Sequence, residues 1–332
     1  MRTCLFYLNW SLVWILFSSC KGGKEEAMPI SRGQAYEVLV VADQEVWKGP
    51  AGRALYRALD TDIPGLPQPE RSFHLRYVSP SDYTTVLKQT RNILIVSISD
   101  TLAERPRLKV AKDVYASPQA VLMVQSPDET SFAEFVSENG KEILDYLTRE
   151  EIERQVKTLE RHYNYEITAL VKQMFDCGVH VPERMSIYKT GQHFLWASTN
   201  AATAEQNFII YTYPYEGEAM LTRAGFVHKR DSVMRINIPG AEKGMYMMTD
   251  SLLTDIRPML VQGKRVWEAR GLWRVKGDMM GGPFVSHAQA DSANRRWVVV
   301  EVFVYSPGRK KRDLVRQAEA SLYTLQLPDE DL

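Results

Sequence analysis

The residues from Gly271 to His287 come nearest to a reactive constellation in this chain. They read Gly-Leu-Trp-Arg-Val-Lys-Gly-Asp-Met-Met-Gly-Gly-Pro-Phe-Val-Ser-His. Paired glycines at Gly281 and Gly282 permit positive φ and close approach of the backbone to another surface. Pro283 fixes the direction of exit, while Met279, Met280 and Phe284 offer adaptable apolar contacts beside Trp273. Asp278, Ser286 and His287 supply the polar groups of such a stretch, and Asp278 and His287 would suit a hydrolytic site if folding brought a serine near them. A shaped loop lining a pocket is one reading of this stretch. A glycine-bent β-connection whose methionines and phenylalanine plug a core is the other. A second cluster, Gly308-Arg309-Lys310-Lys311-Arg312 with Arg316, crowds cations at the start of a helix. The helix dipole disfavours each by a few tenths of a kcal/mol. An anionic partner such as lipid head groups or envelope glycans would offset that cost; a solvated helix start is the plainer alternative.

No familiar catalytic signature is present: no G-x-S-x-G, G-x-x-x-x-G-K-[ST], G-x-G-x-x-G, H-E-x-x-H or paired C-x-x-C. The six histidines are scattered and lack metal-ligand spacing. No cofactor or metal is implied and no catalytic residue is assigned. Five tryptophans (Trp47, Trp196, Trp267, Trp273 and Trp297) could stack on sugars, although their apolar neighbours favour core use.

The third chemistry is covalent. Arg2, an apolar run from Leu5 to Phe17 and Ser18-Ser19-Cys20 form a short positive start, a core of about thirteen residues and a small-residue cleavage site. That core is too short to span a bilayer and fits a signal peptide. Leu16 to Cys20 resembles the bacterial lipobox, with Phe17 where leucine is usual, so residues 1–19 are expected to leave and Cys20 to carry lipid. A plain secretory signal with an incidental cysteine is the competing reading. Cys4 leaves with the signal and Cys177 stays alone, so an exported chain would have no internal disulfide. The 332 residues hold 41 basic and 41 acidic side chains, a balance that argues against bulk nucleic-acid binding.

These groups need elements to position them. Residues 20–33 read as a flexible tether, 34–147 and 179–327 as α+β halves, and 328–332 as an acidic tail. In the first half, Tyr36–Ala42, Phe73–Val78, Asn92–Ser97 and Ala120–Gln125 read as strands, and Thr130–Leu147 as a helix with Gly140 a weak point. Between the halves, Ile152, Val156, Leu159, Tyr163, Ile167, Leu170 and Met174 recur at steps of three or four. That period, a Thr148/Glu151 capping box and Gly178 as terminator predict one long helix over 148–178. In the second half, Ser186–Tyr188, Phe194–Ser198, Phe208–Tyr213, Val266–Lys276 and Arg296–Tyr305 read as strands, and Arg309–Leu325 as the last helix. Ser126-Pro127 and Ser306-Pro307, each between a strand and a helix, suggest serine caps and a weak internal echo. The fold class is α+β, with two sheet-containing halves packed around a central helix of about residues 149–177.

Taken together, Glu37–Trp47, Leu66-Pro67-Gln68-Pro69-Glu70, Arg91-Asn92-Ile93-Leu94, Gly271-Leu272-Trp273, Met280–Phe284, Tyr305-Ser306-Pro307, Lys311-Arg312 and Arg316 carry a resemblance. The chain resembles a lipoprotein family of unknown function from Bacteroidetes-type bacteria, over nearly all of the mature sequence. The resemblance implies an envelope location and supplies no catalytic residue. The expectation is therefore an exported outer-membrane lipoprotein, on the periplasmic or surface face, held to the membrane through Cys20. It would bind or scaffold an envelope protein, glycan or anionic lipid, and no nucleic acid. The expected functional surface comprises Trp273, Asp278, Met280, Gly281, Gly282, Pro283, His287, Arg309, Lys311 and Arg312. An envelope-polymer hydrolase with its site near Asp278 and His287, and a glycan-binding lipoprotein, are the alternatives.

Overall fold

The computed structural model describes residues 28–328. The 1–19 signal, Cys20, residues 20–27 of the tether and residues 329–332 of the tail lie outside the described residues.

The first half is built on β1 (Glu37–Val41), α1 (Gln44–Lys48), α2 (Pro50–Leu59), β2 (His74–Val78), α3 (Thr85–Lys88), β3 (Asn92–Ile98), β4 (Arg107–Lys112) and β5 (Ala120–Ser126). The strands lie in the order β2-β1-β3-β5-β4. All neighbours are parallel except β4, which runs antiparallel to β5 at one edge. β1 is buried at all five residues, as expected of a strand covered on both faces. Val38, Val40, Leu94, Leu122 and Val124 face α2 and the long helix α4 (Glu129–Leu159). Leu39, Val41, Ile93 and Val121 face the α3 side.

Where one helix was expected over 148–178, two are found. α4 runs through Thr148 without interruption, and α5 (Tyr165–Phe175) follows after a break. No residue between Gly140 and Leu159 disfavours a helix enough to stop it. Gly140 is accommodated because α2 passes close by: a Cβ there would lie 2.5 Å from that of Ala58. Asp128, not Thr148, caps the start, its Oδ1 accepting from Ser131 N at 2.8 Å. Glu151 is buried and accepts from Asn92 at 2.6 Å, Arg91 at 2.8 Å and Arg154 at 2.9 Å, so no capping box forms. At the break, Asn164 Oδ1 caps α5 by accepting from Ile167 N, and Asn164 N donates to Val181 O. Asp176 (φ 46°), not Gly178, takes the left-handed conformation that ends α5. Ile152, Leu159 and Ile167 of the expected stripe are buried, but α4 and α5 deliver them to different surroundings.

The second half continues with β6 (Ile187–Gly191), β7 (Phe194–Ser198), β8 (Glu205–Pro214), α6 (Arg223–Asn237), β9 (Met247–Thr249), β10 (Asp255–Val261), β11 (Lys264–Val275), β12 (Gly281–Asp291), β13 (Arg296–Tyr305) and α7 (Arg312–Glu319), then a 3-10 turn over Ala320–Thr324. The antiparallel sheet has the order β10-β11-β12-β13-β8-β7-β6, with β9 also on β11. Both faces are covered. Val285, Val298, Val300, Val302 and Leu195 pack under α5 and α7, while Phe284, Ala288, Val299, Phe303 and Trp273 pack toward α6. One sheet is mainly parallel and the other antiparallel, so the Ser-Pro echo reflects no shared topology. Neither serine is a cap: Ser126 Oγ donates to Asp128 O and Ser306 Oγ to Thr203 O.

Candidate functional site

The expected 277–287 loop is mostly strand. Only the turn between β11 and β12 is irregular, with Gly277 at φ 83° and Met279 99 % exposed. Asp278 accepts the backbone N–H of Met279 and Met280 there, which makes it a turn-former. Gly281 and Gly282 sit in β12, and a Cβ on Gly282 would fall 2.0 Å from Val304 O and 3.1 Å from Trp273 Nε1. The second glycine thus makes room for the neighbouring strand and the buried indole. Pro283 pairs with Leu272, and Met280 packs half-buried against the core. His287 lies six residues into β12 and is wholly buried. At about 3.3 Å per residue it stands roughly 20 Å from the start of the strand, so Asp278 and His287 do not form a pair. Ser286 points to the opposite sheet face from His287 by strand alternation.

The cationic cluster resolves differently. Lys311 N and Arg312 N donate to the two oxygens of Glu70 at 2.6 and 3.1 Å. Arg312 also donates to Arg71 O at 3.1 Å, and Lys311 is buried with its Nζ on Arg309 O. The anionic partner required at the start of α7 is therefore Glu70, from the first half. Arg309 stays exposed. Phe284 pairs with Phe303, so the turn before β12 and the loop after β13 leave the same end of the sheet. They share an end, yet Lys311 and Arg312 are drawn onto the other half.

Of the five candidate tryptophans, Trp273 and Trp297 are buried and Trp47, Trp196 and Trp267 half-buried. A sugar platform of two exposed indoles is not formed by them. Among the described residues no group of His, Cys, Asp or Glu could hold a metal ion.

The concavity that both halves build lies elsewhere. A cleft of about 950 Å³ runs between α2 and α4 on one side and β10 with the 3-10 turn on the other. Leu144, Ile152 and Val156 of α4 line one wall, and Met259 and Val261 of β10 line the other. β10 is an edge strand, and Pro258 within it withholds one N–H from the open edge.

A row of polar side chains runs from the exposed edge of the cleft inward because the register places it there. Arg257, Glu268 and His287 are cross-strand neighbours on β10, β11 and β12, and such neighbours share a face. Glu268 Oε1 accepts from Arg257 Nε at 3.0 Å and Oε2 accepts from Arg270 Nη2 at 2.8 Å. His287 Nε2 stands 3.7 Å from Glu268, too far for a hydrogen bond. Its ring meets Tyr323 edge-on at 4.9 Å. Arg270 also donates to Glu319 of α7, whose carboxylate accepts from Tyr323 Oη at 3.5 Å. Burial opposes ionisation of Glu268, yet Arg270 beside it holds the carboxyl well below the usual range. Burial pushes the Tyr323 phenol up, and Glu319 adds to that.

On the other face of the same sheet, Arg230 clamps Glu301 at 2.6 to 3.1 Å and lies 4.3 Å above the Phe284 ring. Both are fully buried, and Arg230 also donates to Thr249 Oγ1 at 2.9 Å. That pair is sealed from solvent and braces α6 on the sheet.

Residues 31–160 match the model of a family described as a domain of unknown function (DUF8532), and residues 164–324 match that of another (DUF4837). Each half matches a family of unknown function. The two matches meet where α4 ends and Asn164 starts α5, so the cleft lies between the DUF8532 half and the DUF4837 half. No curated protein matches the chain.

Sequence reasoning passed over Glu268, Arg270, Glu319 and Tyr323. A signal existed: Glu268 and Arg270 stand two apart within the mainly apolar Val266–Trp273, on one face of a strand. Glu301 stands alone in Val298–Val304 in the same way.

Proposed function

We propose that this is a lipid-anchored envelope protein that binds a ligand in the cleft between its two halves. The observation that carries the reading is the cleft itself, walled by both halves and floored by buried charged side chains rather than by a sealed core. Pockets that unite an apolar wall with a few convergent polar groups are the usual form of a binding site. A hydrolase built on Asp278 and His287 has no support from the geometry, since one is a surface turn-former and the other is buried mid-strand. The anchor rests on the sequence through Cys20. Among the described residues no helix is long and apolar enough to cross a membrane. One acyl chain binds a bilayer only marginally and two or more hold firmly, so lipid of the bacterial kind on Cys20 suffices.

The binding reading is tested by placing a photo-crosslinking residue at Met259, inside the cleft, and in a parallel variant at Met279, at the hairpin tip. Adducts from native envelopes are expected at position 259 and not at 279; the reverse pattern would overturn the cleft assignment. For the anchor, Cys20→Ser should abolish labelling by a palmitate analogue and release the protein from membranes. A serine variant that is labelled and sediments like the parent would remove the anchor from the account.

A further inference from the structure

Arg316 projects from α7 into the cleft and is only 6 % exposed. Its guanidinium lies 5.0 Å over the ring of Tyr36 from the other half. Among the described residues it has no hydrogen-bond or ion-pair partner, and its Nε is buried unpaired. The neighbouring carboxylates are committed elsewhere. Glu319, three residues on along α7, is held by Arg270 and Tyr323, and Glu268 by Arg257 and Arg270. A buried guanidinium without an anion is strongly disfavoured, because removal from water is not matched by a partner. Stacking on a tyrosine ring returns only part of that loss.

The charge count locates the excess. Around the mouth of the cleft, four cations (Arg57, Lys141, Arg149, Lys157) balance four carboxylates (Asp62, Asp145, Glu153, Glu160). Below them Glu268 accepts from the exposed Arg257 and the buried Arg270, and Glu319 accepts from Arg270, so both carboxylates are taken and Arg316 is left without one. The walls leading down to it are apolar, from Leu144, Ile152 and Val156 on one side and Met259 and Val261 on the other.

We infer that the cleft takes a small amphiphilic monocarboxylate, its carboxylate on Arg316 and its apolar body between α4 and β10. This rests on the cleft being the binding site and assigns the chemical class of what binds. A single charge at the head matches the single uncompensated cation. A planar guanidinium offers a carboxylate two parallel N–H donors. An apolar tail gains from the apolar walls, whose contacts a fully charged ligand would not use.

Decanoate, decanol and decyl phosphate share one tail and differ in the head, so titration calorimetry with the three on the purified protein tests the inference. Decanoate is expected to bind at least tenfold more tightly than decanol. Arg316→Gln should remove that preference by weakening decanoate about tenfold while leaving decanol unchanged. Arg316→Lys, which keeps the charge and loses the fork, should fall between. Without ligand, the Arg316→Gln variant should melt no lower than the parent, since an unpaired buried cation has been removed. Equal decanoate affinity in parent and Arg316→Gln would overturn the carboxylate assignment while leaving the cleft reading, which the position-259 adducts test separately. Tighter binding of decyl phosphate than of decanoate would overturn the monoanion. Absence of binding by all three would overturn the amphiphile. A lower melting temperature for Arg316→Gln, with decanol and decanoate weakened alike, would show Arg316 to be a structural residue and sink the inference.

Discussion

At the scale of single residues, buried charge decides most of what is distinctive. Glu268 takes two arginines in a dry setting, so its carboxyl is ionised well below the usual carboxylate range. A depressed folded pKa stabilises the fold above the unfolded value of about 4.3, and the gain is lost as pH falls through the folded value. Glu268→Gln should therefore flatten the loss of stability on acidification below about pH 4, read from urea midpoints across pH 2 to 7. A variant whose acid limb matches the parent's would remove Glu268 from the acid response. Cys177 is the opposite case. Burial against α5 and the sheet pushes its thiol up to about 12, and the thiolate is the reactive form. Native protein at pH 8 should resist iodoacetamide, and labelling should become rapid only in denaturant.

At the scale of elements, α4 is the part on which the rest leans. It closes one face of the first sheet, carries the Glu151–Arg154–Asn92 network and forms one wall of the cleft. Gly140 within it is retained for contact with α2, not for flexibility. Gly140→Ala would gain about 1 kcal/mol of helix propensity. The new methyl would meet Ala58 at 2.5 Å, and overpacking of that kind costs about 1–3 kcal/mol. The single variant should be net neutral or destabilised in denaturant unfolding. Ala58→Gly combined with it should recover at least half of any loss, which a propensity effect alone would not do.

At the scale of the whole molecule, the halves are joined by α4 and by Glu70 on α7. Glu70 is buried, and its carboxylate satisfies two backbone donors at a helix start that also carries four cations. Removing a cap costs about 0.5–2 kcal/mol, and a charge-assisted one belongs at the upper end. Glu70→Ala should lower stability by about 2 kcal/mol. Scanning calorimetry should then show the single transition of the parent broadening or splitting as the two halves uncouple. A sharp single transition at an unchanged temperature would show that Glu70 does not couple them.

The sequence by itself determined the class of the fold and most of its strands, because short apolar and β-branched runs such as Phe194–Ser198 and Arg296–Tyr305 are local signals. The helical period through Ile152, Leu159 and Ile167 did mark buried helical residues, but on two helices instead of along one continuous stripe. It could not place the helix ends. Thr148 and Glu151 have the chemistry of a capping box, but the Glu151 carboxylate goes to Asn92 and Arg91, roughly sixty residues away in the chain. The interruption falls instead at Asn164, which meets Val181 only in the folded molecule. β10 was missed because Asp255–Val261 is an exposed edge with no clean alternation and a proline inside it. The candidate site was legible as residue types and not as a place. The Asp278, Ser286 and His287 side chains are near in sequence, but a β-strand separates them by length and by face. Glu70 and Arg312, 242 residues apart, are brought into contact by the packing of one half on the other. The cleft exists only between α4 and β10, and the excess charge at Arg316 emerges only when each arginine has been matched to its carboxylate in three dimensions. Local patterning is short-ranged and survives in the one-dimensional chain, whereas burial and charge balance are properties of surfaces that meet only on folding.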